Sequence, residues 1–294
     1  MKDPAFLLKE FKKDKDFLIG IDSDGCAFDT MEIKHKECFI PNIINEWELQ
    51  AVSKYAREAA EFVNLYSRWR GINRFPALLM VFDLLDDRRE AQNRGFKSPN
   101  VDSLRKWVET ESKLGNPALE LVVAKTGDEV LSRALKWSNA VNETVEKIVR
   151  GVPPFPYAKK SFDKMKVHAD IIVVSATPGE ALVREWEEHD IAKYVKVIAG
   201  QEMGKKEEHL KFAKQGRYED EKVLMVGDAA GDMNAARANN VLFYPIIPGK
   251  EDESWQRFYD EAFDRFINGE YKGSYEDALI KEFLSFLPET PPWK

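Results

Sequence analysis

The sequence predicts an α/β protein in which a parallel sheet is interrupted, after its first strand, by an all-helical insertion. Short apolar runs that end abruptly in polar residues predict buried strands at residues 17–21, 171–174 and 222–226. Helical patterns follow the last two runs, which is typical of a parallel sheet covered by helices. Over residues 33–149 the apolar residues instead recur three and four apart, which is the spacing of amphipathic helices.

The order of elements after the insertion predicts the extent of the two domains. Helices are expected at residues 179–188, 207–214 and 229–239, weaker strands at 195–199 and 241–246, and two amphipathic helices over 251–287. Gly151 and the proline-rich segment 153–156 predict a stiff linker that ends the insertion. We therefore expect an α/β core formed by residues 1–31 and 151–294, and a helical domain formed by residues 32–150.

The composition excludes several classes of protein. Hydrophobic residues make up 44% of the chain and charged residues 32%, with a net charge of −7, which argues against a binder of nucleic acid or of anionic membranes. No apolar run is long enough for a signal peptide or a membrane span. Cys26 and Cys38 lack a metal-binding spacing, and we expect them to be reduced, with a single disulfide as the alternative. These features predict a cytoplasmic protein, and they leave open whether it is a monomer or a homodimer.

Three predicted strands end in turns that are rich in functional groups. The first gives Asp22 and Asp24, the second gives Ser175, and the third gives Asp228 and Asp232. Because the carboxyl ends of parallel strands meet at one edge of the sheet, we expect these side chains to converge. Carboxylates brought together repel one another unless a cation lies among them. Magnesium fits best, since it needs few protein carboxylates and leaves room for water and phosphate.

This set of side chains is suited to phosphoryl transfer. A carboxylate beside magnesium can attack phosphorus and form an aspartyl-phosphate. The transferred group then needs hydrogen-bond donors and a cation, for which Ser175, Lys205 and Lys206 are candidates. Taken singly, each residue has an ordinary interpretation as a turn, a helix cap or a solvated lysine. Their order, and their positions at predicted element boundaries, favour the catalytic interpretation.

The same segments resemble the four motifs of the haloacid-dehalogenase superfamily. The resemblance implies a Rossmann-like core with a helical cap inserted between the first and second motifs. It makes Asp22 the nucleophile and Asp24 the general acid/base, with Ser175 and Ala176 binding the substrate phosphate. Lys206 is favoured over its neighbour as the lysine of the third motif, because of its spacing from the preceding glycine.

The resemblance also implies the metal ligands and the reaction. In the family, Mg²⁺ is held by the nucleophile carboxylate, the backbone carbonyl of the second aspartate and an acidic residue of the fourth motif. These correspond to Asp22, Asp24 and Asp228, with Asp232 as an additional or indirect ligand. Asp24 favours a magnesium-dependent phosphatase acting on a small phosphorylated metabolite, since the dehalogenase branch does not need that acid.

Two alternatives remain open at the level of sequence. The continuation from Asp24 to Thr30 also resembles the branch of β-phosphoglucomutase and phosphoglycolate phosphatase, so an intramolecular sugar phosphomutase is one alternative. The other is a non-catalytic protein that binds a phosphorylated ligand, which the complete acidic set disfavours.

Three arginines surround Gly71 in the segment 66–75 of the insertion. Guanidinium groups suit the recognition of a phosphate or a carboxylate. We therefore expect Arg70, Asn73 and Arg74 to contact substrate, with solvated or ion-paired residues at a helix end as the alternative.

Overall fold

The computed structural model describes residues 3–294, which divide into two compact units. One unit, the core, contains the described residues up to 30 together with 151–287. The other, the insertion unit, contains residues 31–150 and also 288–294, which we call the C-terminal tail. The chain therefore passes between the units three times. The sequence instead predicts that residues 288–294 belong to the core.

The core is built on a five-stranded parallel sheet, as the sequence predicted. Its strands are β1 (Phe17–Ile21), β2 (Ala169–Val174), β3 (Val197–Ala199), β4 (Val223–Gly227) and β5 (Leu242–Pro245), in the spatial order β3-β2-β1-β4-β5. Ile19 of β1 is paired with Ile171 of β2 on one side and with Leu224 of β4 on the other. The first strand of the chain is therefore the central strand of the sheet.

Helices cover both faces of this sheet. The core helices are Phe6–Glu10, Pro156–His168, Gly179–Glu188, Lys206–Lys214, Ala230–Ala238, Glu251–Arg257, Phe263–Ile267 and Ser274–Ser285, with a π-helical segment Phe258–Ala262 and single 3₁₀ turns Ala192–Tyr194, Gln201–Met203 and Asp220–Lys222. Ile19 and Ile21 belong to the hydrophobic cluster on one face, and Leu18 belongs to the cluster on the other. Burial on both faces explains why these strands appear as continuous apolar runs.

The proline-rich linker is shorter than the sequence suggested. The helix Pro156–His168 begins at the last proline of that segment, because proline is tolerated at the first helical position, where its missing N–H is not needed. Just before it, the backbone N–H of Phe155 donates to the carbonyl oxygen of Ala27 at 3.0 Å. The return from the insertion is thereby fixed to the loop that follows β1.

The described part of the insertion unit contains helices and turns without strands, in agreement with its periodicity. It begins within the helix Thr30–Ile33, whose first residue belongs to the core. Its other helices are Ile40–Glu46, Ser53–Asn64, Arg74–Asp86, Arg89–Gln92, Asp102–Thr110, Asn116–Thr126 and Glu129–Ile148, with a π-helical segment Lys34–Phe39 and a 3₁₀ turn Gln50–Val52. These helices pack around one hydrophobic cluster that includes Trp47, Trp107 and Trp137. Cys26 and Cys38 are buried and unbridged, as expected. No helix among residues 3–294 is long and apolar enough to cross a membrane.

The C-terminal tail is attached to the insertion unit by specific contacts. The indole of Trp293 lies edge-on to the ring of Phe62, with 5.8 Å between the ring centroids. The guanidinium of Arg88 lies 4.5 Å from the centre of the Trp293 ring, a cation–π geometry. Lys294 forms an ion pair with Asp87 at 2.7 Å. The hydrophobic cluster of the insertion is therefore extended by a residue from the far end of the chain.

Replacing Trp293 with alanine should reduce the stability of the insertion unit. The substitution removes an aromatic contact and a cation–π contact at a partly buried site, so we expect a loss of about 1–3 kcal/mol in the free energy of unfolding, measured by chemical denaturation. Leu121→Ala is the matched control, because Leu121 is 75% exposed and should change the stability little. Equal stability of the two variants would contradict the importance of the tail contact.

Candidate active site

The site begins where β1 ends. Asp22 directly follows this strand, and its backbone N–H donates to the carbonyl oxygen of Val226 at 3.0 Å, so the pairing with β4 extends beyond the strand itself. The residue is only 5% exposed, and Oδ1 of its side chain accepts a hydrogen bond from the backbone N–H of Ser23 at 2.8 Å. The Asp22 carboxylate is therefore buried and fixed in orientation.

Distant aromatic residues hold the loop that follows Asp22. Gly25 turns the loop with a φ of 76°, a conformation that favours glycine. The Ser23 hydroxyl accepts a hydrogen bond from Nε1 of Trp186 at 2.9 Å, and the carbonyl oxygen of Cys26 accepts one from Nε1 of Trp255 at 2.7 Å. Sequence reasoning missed these contacts. No local pattern connects a loop with indoles that lie more than 150 positions away.

The second aspartate of the loop is held by two hydroxyl groups. Oδ1 of Asp24 accepts a hydrogen bond from the hydroxyl of Thr30, and Oδ2 accepts one from the hydroxyl of Thr177 at 2.7 Å. Thr30 lies in the segment after β1 and Thr177 in the segment after β2. The segments that follow these two strands therefore orient the half-buried carboxylate together. The motifs contain both threonines, but no local sequence pattern indicates this role.

Three carboxylates from two strand ends form a compact group. Asp22, Asp228 and Asp232 are all buried, and each places an oxygen within 4.8 Å of an oxygen of the others. A Cβ atom on Gly227 would lie 2.4 Å from Cγ of Asp232, so glycine is required for this close approach. Oδ2 of Asp232 accepts a hydrogen bond from the backbone N–H of Ala229 at 3.1 Å.

An ammonium group lies between two of these carboxylates. Nζ of Lys206 is 2.7 Å from Oδ2 of Asp22 and 2.7 Å from Oδ1 of Asp232. Lys205, its neighbour in the sequence, is exposed, and its backbone N–H donates to Oε2 of Glu208 at 2.8 Å at the start of the helix. The start of that helix therefore separates the two lysines, and Lys206 is the one that lies in the acidic group.

The electrostatics of this group follow from burial. Burial raises the pKa of Asp22 well above its usual value; the charge of Lys206 opposes this shift, and the neighbouring carboxylates of Asp232 and Asp228 reinforce it. Burial alone would lower the pKa of Lys206, but the charges of Asp22 and Asp232 outweigh it, so this pKa is raised. Lys206 thus offsets only part of the negative charge. Three hard oxygen donors with excess negative charge are a donor set that suits Mg²⁺.

The remaining phosphate-binding candidates lie at the end of β2. Ser175 is 2% exposed, and its backbone N–H donates to the carbonyl oxygen of Ala199 at 3.0 Å. Its Oγ accepts a hydrogen bond from the backbone N–H of Thr177 at 3.2 Å, so the hydroxyl hydrogen can still be donated. Ala176 is exposed next to it. Since β2 pairs with β1, Ser175 follows the strand beside the one that Asp22 follows.

The three candidates in the insertion have structural contacts within that unit. Arg70 is 3% exposed, and its guanidinium donates to a backbone carbonyl at 2.9 Å. Asn73 caps the helix Arg74–Asp86 by accepting a hydrogen bond from the backbone N–H of Phe75 at 3.0 Å. Arg74 donates to the hydroxyl of Ser138 at 2.8 Å. Their contact with substrate stays a prediction.

The family model of the haloacid dehalogenase-like hydrolases matches residues 89–245, which is more than half of the chain. The chain belongs to this family. The matched part of this hydrolase includes Ser175, Lys206, Asp228 and Asp232, whereas Asp22 lies before it.

Solved structures similar to this hydrolase come from several bacteria. A haloacid dehalogenase-like family hydrolase of Streptococcus pneumoniae is 14% identical, with 83% of this chain and 90% of that chain covered and a TM-score of 0.46. A predicted phosphoglycolate phosphatase of Haemophilus somnus is 13% identical, with coverages of 79% and 86% and a TM-score of 0.43. A HAD-superfamily hydrolase of Geobacter sulfurreducens, of subfamily IA, is 14% identical, with coverages of 80% and 90% and a TM-score of 0.40. No match was found among curated proteins.

Replacing Asp232 with asparagine should lower the stability of the metal-free protein. The substitution removes the ion pair with Lys206 at 2.7 Å and leaves the buried ammonium group with less negative charge beside it, so we expect the free energy of unfolding to fall by about 1–3 kcal/mol. Denaturation in the presence of a chelator measures this change. An unaltered free energy of unfolding would contradict the importance of this ion pair.

Proposed function

We propose that this hydrolase is a phosphatase that removes phosphate from a small phosphorylated metabolite through an aspartyl-phosphate at Asp22. The observation that supports this most directly is Nζ of Lys206, which lies 2.7 Å from both Asp22 and Asp232 at the carboxyl edge of the sheet. A buried carboxylate next to a fixed cation is suited to attack phosphorus, because the cation can neutralise the charge of the phosphoryl oxygens.

The residues that would hold Mg²⁺ follow from the same arrangement. We assign the carboxylates of Asp22 and Asp228 and the backbone carbonyl of Asp24 as its ligands. Asp232 already contacts Lys206 and the backbone N–H of Ala229, so its proposed role is to orient that lysine. When bound, Mg²⁺ supplies positive charge that offsets the charge of the carboxylates and of the phosphoryl group.

The side chains of the core can carry out two successive displacements. In the first, a carboxylate oxygen of Asp22 forms a bond to phosphorus while the bond to the leaving oxygen breaks, and Asp24 gives its proton to that oxygen. In the second, water attacks the same phosphorus and gives a proton to Asp24. The bond to Asp22 then breaks and inorganic phosphate departs. Thr177 would orient Asp24, while Ser175 donates to a phosphoryl oxygen.

Replacing Asp22 with asparagine should abolish the reaction and leave the fold intact. The amide is a far weaker nucleophile, so we expect kcat to fall by about 10³-fold or more. The measurement is phosphate release from a panel of phosphorylated metabolites with Mg²⁺ and with EDTA, and circular dichroism checks the fold. Full activity of the variant, or release that EDTA does not affect, would contradict the proposal.

The adjacent lysines provide a matched pair of variants. Lys206→Met should lower kcat by about 10²–10³-fold, since it removes a fixed charge from the site, whereas Lys205→Met should remain active because its side chain is exposed. Equal activities of the two variants would mean that the ion pair with Asp22 has no part in the reaction.

The same assay distinguishes the alternatives. A phosphomutase would return the phosphoryl group of Asp22 to another hydroxyl of the substrate, so a sugar phosphate would be isomerised without release of phosphate. Binding of phosphorylated compounds with neither release nor isomerisation would support the non-catalytic alternative.

A further inference from the structure

The guanidinium of Arg74 in the insertion unit is held by one of its nitrogens. Nη1 donates to the carbonyl oxygen of Ser138 at 3.1 Å, to the hydroxyl of Ser138 at 2.8 Å and to Oδ1 of Asn142 at 2.8 Å. The guanidinium carbon lies 4.9 Å from the centre of the Phe39 ring. These contacts fix both the position and the plane of the group, so Arg74 is preorganised before any ligand arrives.

The opposite edge of this guanidinium remains available. Among residues 3–294, no hydrogen bond to Nε or Nη2 of Arg74 is formed, and neither atom is sealed in the interior. Nε and Nη2 lie side by side on one edge, where their N–H groups point in parallel directions. This is the fork that binds two oxygens of a planar anion.

Arg74 also differs from other arginines of the insertion in its charge environment. Arg88 forms an ion pair with Glu58 at 2.5 Å, and Arg105 forms one with Asp83. Arg74 makes no ion pair within the described chain, and its hydrogen-bond acceptors are neutral. Burial lowers its pKa to about 10, and no neighbouring carboxylate offsets this shift. A partly buried cation with neutral partners is unfavourable, and an anionic ligand would remove the cost.

We propose that Arg74 forms a carboxylate-binding site in the insertion unit, in which the N–H groups of Nε and Nη2 donate hydrogen bonds to the two oxygens of one carboxylate. A carboxylate suits this site better than a phosphate dianion, because the site offers a single positive charge and one planar fork. Two sources share this chemistry: the carboxylate of a phosphorylated organic acid used as substrate, or a free organic acid that binds as an effector. Only the first source rests on the proposed phosphatase function.

Binding is tested without reference to catalysis. In a ¹⁵N–¹H spectrum of the arginine side chains, glycerate should shift the Nε–H signal of Arg74 in a saturable manner, whereas the neutral analogue glycerol should not. Arg74→Lys keeps the charge but loses the fork, and should weaken glycerate binding by about tenfold or more. Arg105→Lys is the matched control and should bind glycerate as the unaltered protein does, because Arg105 is already paired with an acid.

A second variant keeps Arg74 and gives it an anionic partner within the protein itself. Asn142→Asp places a carboxylate beside Nη1, where the amide oxygen now lies 2.8 Å away. We expect this variant to melt at a higher temperature and to bind glycerate about tenfold more weakly. No shift of the Arg74 signal with glycerate, or glycerate binding that is unchanged in both Arg74→Lys and Asn142→Asp, would overturn the proposal.

Kinetics then identify the source of the carboxylate. If it belongs to the substrate, Arg74→Lys should lower the ratio of kcat/KM for 3-phosphoglycerate to that for glycerol 3-phosphate by about tenfold, and Arg105→Lys should not. If it belongs to an effector, glycerate should change the rate of glycerol 3-phosphate hydrolysis in the unaltered protein and lose this effect in Arg74→Lys. The NMR spectra measure binding without catalysis. A protein that shows no phosphatase activity can therefore still confirm or contradict the proposed binding of a carboxylate by Arg74.

Discussion

The interaction of Lys206 with Asp22 and Asp232 is the one on which the rest of the site depends. Three carboxylates buried this close together are unstable without positive charge, and the ammonium group supplies part of it from inside the fold. The ammonium group reaches this position because Lys206 is the first residue of its helix. Asp232 reaches it because Gly227 has no side chain at the point where the two residues pack together. The acidic group is therefore a property of the whole core rather than of any one loop.

The topology of the sheet explains how such distant segments meet. Because β1 is central, the loops after β2 and β4 flank the loop that carries Asp22. The 120-residue insertion leaves the core at the end of the Asp22 loop, after Thr30, and the returning backbone is bound to that loop through Phe155 and Ala27. A large insertion is tolerated there because the loop is fixed by its own hydrogen bonds and by indoles from the core.

The positions that could be predicted from sequence are those with a local signal. Strands of a parallel sheet that is covered on both faces are continuous apolar runs, so their ends can be recognised in the sequence. Such a run directly precedes Asp22, Ser175 and Asp228. The pairing of β1 with β2 and β4, the hydrogen bond from Thr177 to Asp24 and the attachment of the tail were not visible. Each joins segments more than 100 residues apart, and neither periodicity nor composition carries information about such pairings.

The tail has a consequence for the order in which the molecule can be assembled during synthesis. Nascent chains generally fold domain by domain from the amino terminus. The insertion unit cannot finish folding before the core is synthesised, because Trp293, which contacts Phe62 and Arg88, is translated after the entire core. During synthesis, the helices of the insertion therefore keep part of their apolar surface uncovered until the segment that carries Trp293 has emerged from the ribosome.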